Sequence, residues 1–262
     1  MRSRRQPGRD SVAGAVRAWE GKVTRVVFFD VAGTLIRVRD GVGVQYARVA
    51  ARFDVVADPT ALAREFPRAF RAAPLMAFPG APADAIPQLE REVWRGIVRE
   101  VFAGAGLLPR FAPGAFDAYF DAVYRHFEDA GVWDVFSDVV PALEALRAHG
   151  CSLGIVSNFD SRVVRILEGL RLASWFGSVT LSSAVGATKP DRAIFVRALA
   201  QHGIPPAQAF HVGDSPAEDG DGARAAGLHA VLIDRGGRHA DRPGVVRVTS
   251  LEALPAMIRA AG

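Results

Sequence analysis

The patterned part of the chain begins with an apolar run that shows no polar alternation, Val26-Val27-Phe28-Phe29, and the run ends abruptly in Asp30. Such a run predicts a strand buried on both faces, as in a parallel sheet. From about residue 37 to 137 the pattern changes to a helical period, with no convincing strand. Val42 to Phe53 reads as one helix. Asp58-Pro59 supplies an N-cap and a first-turn proline for a second, running to about Ala73. Leu89 to Ala103 reads as a third, with Leu89, Val93, Trp94, Ile97, Val101 and Phe102 on one face. Phe116 to Phe127 reads as a fourth, and its aromatic stripe is a helix-bundle core and not a cofactor box. The Pro- and Ala-rich connection from Ala73 to Pro87 is expected to be ordered by Leu75, Met76 and Phe78 packing on a neighbour. Trp133, Val135 and Phe136 lead out of the block.

After Ala142 the chain alternates. Helices are predicted over Leu143 to His149, Arg162 to Leu170, Asp191 to Gln201, Ala217 to Ala226 and Leu251 to Ala260. Strands are predicted over Cys151 to Val156, Val179 to Leu181, Ala209 to Val212, His229 to Ile233 and Val245 to Val248. This alternation predicts an α/β fold, a doubly wound, mostly parallel sheet of Rossmann-like type. The first strand precedes the helical block, so the block is an insertion. The expected partition is a core of residues 23–36 and 138–262, an all-helical insertion over 37–137, and a disordered N-terminal tail over 1–22.

Composition narrows the class. Of 262 residues half are apolar and 23% are charged, which fits an ordinary soluble globular protein. No apolar run approaches the ~20 residues that span a bilayer, so no membrane partner is expected. Arg2, Arg4, Arg5 and Arg9 lie in a stretch without an apolar segment, which excludes a secretory signal there. The lone Cys151 excludes an intramolecular disulfide, reads as a small core residue and fits a reducing, cytoplasmic setting. The net charge of +4 is scattered and forms no runs. It describes a solvated surface that favours small anions, with no nucleic-acid footprint. Of the 32 basic residues 30 are Arg, and the two lysines are Lys22 and Lys189. A lysine kept inside a motif of such a chain suggests that a compact ammonium is needed there.

Polar groups collect at four predicted strand ends, which converge in a parallel sheet. The first is Asp30, followed by Gly33, whose backbone can turn sharply and present N–H groups to an anion. Asp30 is either a nucleophilic or metal-binding carboxylate, or a turn cap. The second end is Ser157-Asn158, a hydroxyl and a turn that can take a phosphoryl oxygen, or a plain helix start with Ser161 as its cap. The third is Lys189-Pro190, which could neutralise a carboxylate and a transferring phosphate, or be a surface lysine before a helix. The fourth is His211-Val212-Gly213-Asp214-Ser215-Pro216-Ala217-Glu218-Asp219. Its three acids repel one another unless a cation is present, and oxygen-only ligation suits Mg²⁺. A solvated acidic helix start remains open for Glu218 and Asp221. No Cys/His spacing suits zinc.

Taken in order, Asp30-Val31-Ala32-Gly33-Thr34, Ser157-Asn158, Lys189-Pro190, and Gly213-Asp214 with Asp219 resemble the haloacid dehalogenase-like hydrolase superfamily over about Arg25 to Arg235. The phrases VSNFDSR, TKPDRAIF and HVGDSPAEDGDGARAAG are similar to the branch related to the rhythmically expressed gene 2 protein. The resemblance implies that residues 37–137 are a mobile cap. It implies that Asp30 is a nucleophile forming an aspartyl-phosphate, and that Ser157 and Lys189 hold phosphoryl oxygens, with Gly33, Thr34 and Asn158 also at the substrate. It implies Mg²⁺ on Asp30, the backbone carbonyl of Ala32 and Asp214, with Asp219 as support and Glu218 as the alternative to it.

One departure stands out. Phosphatases of the superfamily usually carry a second Asp two residues after the nucleophile, as general acid for the leaving group, and here that position is Ala32. A positioned acid contributes ~10²–10⁴-fold. Phosphonoacetaldehyde hydrolases have Ala there but use a Schiff-base lysine from the cap, and residues 37–137 contain none. The 2-haloacid dehalogenases have an aromatic there and need no metal. His126 could supply the missing acid but reads as a solvated helix histidine, and His211 reads as structural. The expected function is a Mg²⁺-dependent phosphatase acting on a small phosphorylated metabolite with a good leaving group, acyl or aryl, and a monomer by default. The alternatives are a 2-haloacid dehalogenase, or a binding protein that keeps the cradle without turnover.

Overall fold

A computed structural model describes residues 25–260. The tail predicted over residues 1–22, with Lys22, lies outside the described residues. In chain order the strands are β1 (Val26–Phe29), β2 (Ile36–Val38), β3 (Trp133–Val135), β4 (Ser152–Ser157), β5 (Ser178–Leu181), β6 (Ala209–Gly213), β7 (His229–Ile233) and β8 (Val245–Val248). The helices are α1 (Val42–Ala50), α2 (Pro59–Ala72), α3 (Ile86–Gly104), α4 (Ala115–His126), α5 (Val139–Ala148), α6 (Val163–Gly169), α7 (Ser182–Val185), α8 (Arg192–His202), α9 (Gly222–Ala225) and α10 (Leu254–Ala260).

Six strands form one sheet in the order β5-β4-β1-β6-β7-β8, and every pair is parallel. The unbroken apolar run of β1 is explained by its central place. Val27 and Phe29 face a cluster that holds Leu143 and Leu146 of α5 and Leu254 and Ile258 of α10. Val26 and Phe28 face the other side, against Ile194, Phe195 and Ala198 of α8. Strands β4 and β6 flank β1, with Phe29 in register with both Ile155 and Val212. This is the point where the strand order reverses, and a crevice opens there at the carboxyl ends.

Helices α1 to α4 build a third apolar cluster, drawn from Tyr46 to Val123. Asp58 caps α2 as expected, accepting from the Thr60 N–H at 2.9 Å ahead of Pro59. Three expectations need correction. The insertion is not free of strands: β2 and β3 pair antiparallel, Ile36 opposite Val135, so the chain enters and leaves it side by side. Each strand is three residues long, too short for a period to show. In the 73–87 connection Met76 is 8% exposed but Leu75 is 71% exposed, so Leu75 lies largely in solvent. The helix predicted from Ala217 begins instead as a π-helical turn, Pro216–Asp221, that runs into α9. No helix among the described residues is long and apolar enough to cross a membrane.

Candidate active site

Asp30 sits one residue past the end of β1, its N–H donating to the Val212 carbonyl at 2.9 Å. Its side chain is 10% exposed. Ser157, the last residue of the neighbouring β4, donates its hydroxyl to Asp30 Oδ1 at 2.8 Å. Lys189 Nζ donates to the same oxygen at 2.6 Å and to Asp219 Oδ1 at 2.6 Å. Lys189 is held by Asn158: its N–H donates to Asn158 Oδ1 at 2.7 Å, and Asn158 Nδ2 donates to its carbonyl at 3.0 Å. The same Nδ2 lies 3.2 Å from Glu218 Oε2. The Asn158 amide is therefore occupied in positioning the lysine, although the residue lines the cavity.

The π-helical turn explains Asp219. The N–H groups of Asp219 and Gly220 both donate to the Ser215 carbonyl, and the widened turn swings the carboxylate inward. Its Oδ1 is shared by Lys189 and by His211 Nε2 at 2.8 Å, and its Oδ2 accepts from the Ser215 N–H at 2.9 Å. A Cβ at Gly213 would lie 2.0 Å from Asp219 Cγ, so only glycine leaves room. Gly33 is constrained twice: its φ is +89°, and a Cβ there would lie 2.2 Å from Asp214 Oδ2.

The electrostatics follow from this crowding. Burial pushes Asp219 up, but the Lys189 charge and the His211 hydrogen bond override it and hold the carboxyl well below the usual range. Burial pushes Lys189 down, but Asp219 and Asp30 outweigh it and hold the ammonium above the ordinary lysine range. Asp214 has no cation of its own. Burial, then the charges of Asp30 and Asp219, push it up to about 7. Burial likewise raises Glu218. Asp30, Asp214 and Asp219 each bring one oxygen to a common point, all within 4.8 Å of one another. Glu218 is not in that group. Three carboxylates against one ammonium leave the cluster short of positive charge, and an all-oxygen donor set of this kind fits a hard divalent cation.

Above the carboxylates lies a cavity of about 670 Å³. Asp30, Ala32, Gly33 and Asp214 line its floor, and its other walls come largely from the insertion. The family model of the haloacid dehalogenase-like hydrolases matches residues 24–227. The chain belongs to that family.

Among relatives, haloacid dehalogenase-like hydrolase domain-containing protein 3 of Bos taurus is 35% identical over 211 residues, 80% of this chain and 81% of that protein. The rhythmically expressed gene 2 protein of Drosophila melanogaster is 29% identical over 218 residues, 80% and 82% of the two chains. Two solved structures share the fold. One is a phosphatase of the family from Thermococcus onnurineus (TM-score 0.57, 23% identity, covering 90% of this chain and 98% of that one). The other is the L-2-haloacid dehalogenase of Xanthobacter autotrophicus (TM-score 0.67, 18% identity, covering 90% and 99%).

Measured against what the family resemblance implies, the structure gathers Asp30, Ser157, Lys189, Asp214 and Asp219 into one network. It does not bring Thr34 in. That side chain is fully buried, its hydroxyl has no partner among the described residues, and it is not on the cavity wall. His126 is also elsewhere, its Nε2 2.9 Å from Gln45 Oε1 and off the cavity wall, so it does not replace the missing acid. His211 is buried and tied to Asp219, as a structural histidine should be.

Sequence reasoning missed the seat of the insertion. Ser161 caps nothing: its N–H and hydroxyl both donate to Glu90 on α3, at 3.0 and 2.5 Å. Asp160 accepts from Trp94 Nε1 at 2.6 Å and takes two bonds from Arg162, whose guanidinium lies 3.8 Å over the Tyr124 ring. Glu90 and Trp94 stand one helical turn apart, which is the signal the sequence held. A Glu on a helix ordinarily reads as solvated.

Proposed function

We propose that this chain is a Mg²⁺-dependent phosphatase acting on a small phosphorylated metabolite through Asp30. The observation that carries the reading is the way Asp30 is bonded. Ser157 and Lys189 both donate to Oδ1, and among the described residues nothing bonds Oδ2. One oxygen is anchored and the other is left to attack. Asp30, Asp214 and the Ala32 carbonyl would hold Mg²⁺, which supplies charge neutralisation at the transferring phosphoryl group. Asp219, with both oxygens already engaged, supports the site by fixing Lys189.

Asp30 Oδ2 attacks phosphorus in line, the bond from phosphorus to the ester oxygen breaks, and that oxygen leaves with the electron pair. Lys189, with a third N–H beyond those given to Asp30 and Asp219, stabilises the equatorial oxygens as charge spreads over them, and Ser157 turns its hydroxyl from Asp30 Oδ1 to a phosphoryl oxygen as substrate binds. A water then attacks the aspartyl-phosphate, releasing phosphate and restoring Asp30. No proton reaches the leaving group from position 32, because Ala32 has none to give. Acyl and aryl phosphates, whose leaving groups are stable anions, are the expected substrates. Ala32 also motivates a second reading, a protein that binds phosphate without turnover.

The test is phosphate release from acetyl phosphate and phenyl phosphate, with and without Mg²⁺, by the wild type, Asp30→Asn and Ala32→Asp. Mg²⁺-dependent release that disappears in Asp30→Asn supports the assignment. A gain on alkyl phosphates in Ala32→Asp would show that the missing acid limits the natural protein. Phosphate binding without release from either substrate favours the second reading.

A further inference from the structure

We propose that the substrate of this site is an aryl phosphate carrying a second anionic group, its ring in the aromatic chamber of the insertion and its anion on Arg71. The inference rests on the phosphatase reading and goes further, from reaction to substrate class.

Three observations converge. The first is the wall. On the insertion side the cavity is faced by Tyr46, Phe66, Phe70, Trp94, Phe120 and Tyr124, among other apolar side chains. Its polar groups there are few. The Trp94 N–H is already given to Asp160. What remains are two phenol hydroxyls and the guanidiniums of Arg37 and Arg71. A sugar phosphate would have to strip water from several hydroxyls and leave most of them unpaired, each at a penalty. An aromatic ring loses nothing comparable and gains edge and face contacts with the wall.

The second is the floor. Ala32 occupies the position that would protonate the leaving oxygen, and the phenols of the wall are poor substitutes. Burial pushes both up, Tyr124 to about 12 and Tyr46 beyond it. A phenolate departs without such help. The two ends of the cavity therefore select the same chemistry for separate reasons: the floor needs a leaving group stable as an anion, and the wall needs a ring. The balance is complete with the groups named. The Asp30 oxygen bonds phosphorus, the aryl oxygen leaves as phenolate and takes its proton from solvent, and water hydrolyses the aspartyl-phosphate.

The third is charge. Three cations line the cavity, Arg37, Arg71 and Arg162. Arg162 is committed to Asp160 through two hydrogen bonds. Arg37 lies 5.4 Å over the Phe136 ring. Among the described residues, Arg71 makes no hydrogen bond, ion pair or ring contact; some arginines on the helices of the insertion find carboxylates, as Arg68 does with Glu65, and of those that do not, only Arg71 lines the cavity. It stands in the last turn of α2, beside Phe70. A guanidinium on an apolar wall with no carboxylate is placed to take one from the ligand.

The experiment uses the full chain with Mg²⁺ and compares kcat/KM for 4-carboxyphenyl phosphate, 4-carbamoylphenyl phosphate, glucose 6-phosphate and acetyl phosphate. The carboxylate and carboxamide differ in charge while remaining similar in size; the carboxamide pulls more on the ring, so the decisive quantity is the change in their ratio between the wild type and Arg71→Ala. The wild type should prefer the carboxylate by about tenfold or more, and both aryl esters over glucose 6-phosphate by a larger factor. In Arg71→Ala the carboxylate-to-carboxamide ratio should fall by about tenfold or more. Arg71 is exposed, so the variant should fold, and its melting temperature checks that. A wild-type ratio near one, a ratio unchanged in Arg71→Ala, or a preference for glucose 6-phosphate overturns the inference. If that occurs while acetyl phosphate is still hydrolysed, the phosphatase reading stands and only the substrate class falls. If no phosphate is released from any of the four, both fail.

Discussion

The two sides of the cavity are built on opposite principles. On the sheet side the polar groups are tied to one another. Asp30, Ser157, Asn158, Lys189, His211 and Asp219 form one chain of hydrogen bonds of 2.6 to 3.0 Å, anchored at neighbouring strand ends. On the insertion side the wall is rings and aliphatic groups with one unpaired guanidinium. On the phosphatase reading proposed above, the first side serves charge alone and is blind to what the phosphate is attached to. The second is specific about shape and polarity and takes no part in bond making. Substitutions on the sheet side should therefore lower the rate for every substrate by a similar factor, while those on the insertion side should change the order in which substrates are preferred.

The largest expected break comes from Lys189→Met. Removing one partner of a buried, hydrogen-bonded charge cluster costs about 3–5 kcal/mol, because Asp30 and Asp219 are left facing each other. Thermal unfolding should fall by roughly 10 °C, and turnover of all substrates should be lost together. Gly33→Ala comes next. It forces a Cβ into Asp214 at a positive φ, so the Mg²⁺ concentration at half-maximal rate should rise at least about tenfold, with a cost of ~1–2 kcal/mol at a φ that side chains resist. A Mg²⁺ titration of the rate checks it, and an unchanged midpoint would contradict the role given to Asp214.

Glu90→Ala tests the other side. It leaves the Ser161 hydroxyl and N–H without their acceptor, which should cost about 2 kcal/mol. It should raise KM more than it lowers kcat. Trp94→Phe should be the mildest. It keeps a ring on the wall and removes one donor to Asp160, at a cost of ~1 kcal/mol in unfolding by denaturant. A loss of turnover as deep as that of Lys189→Met in either variant would erase the distinction between the two sides.

The same contrast explains what could be read from the chain. Strand β1 was legible because four apolar residues without alternation fit few places other than the middle of a parallel sheet. The floor was legible because each polar group follows an apolar run, and strand ends converge. The scarcity of lysine marked Lys189 before any geometry was known. Thr34 was misplaced because a Thr beside a Gly in a motif gives no hint of which way its hydroxyl points. The inward swing of Asp219 depends on a turn closed by five residues instead of four, which leaves no trace in hydrophobic spacing. Ribbon β2–β3 escaped because three residues cannot establish a period. Glu90 and Arg162 escaped for a deeper reason. Their partners lie 71 and 38 positions away in the chain, and a charged side chain gives no sign of which distant group will meet it.

The stretch that leaves β4 carries both halves of this design within five residues. Asn158 grips the backbone of Lys189, and Asp160, Ser161 and Arg162 grip the insertion. It works as a common lever. Any tilt that lifts the aromatic wall away from the sheet must pull on a segment two residues from the amide that steadies the ammonium. On the proposed reading, opening the chamber to water and loosening the hold on Lys189 would then be one movement.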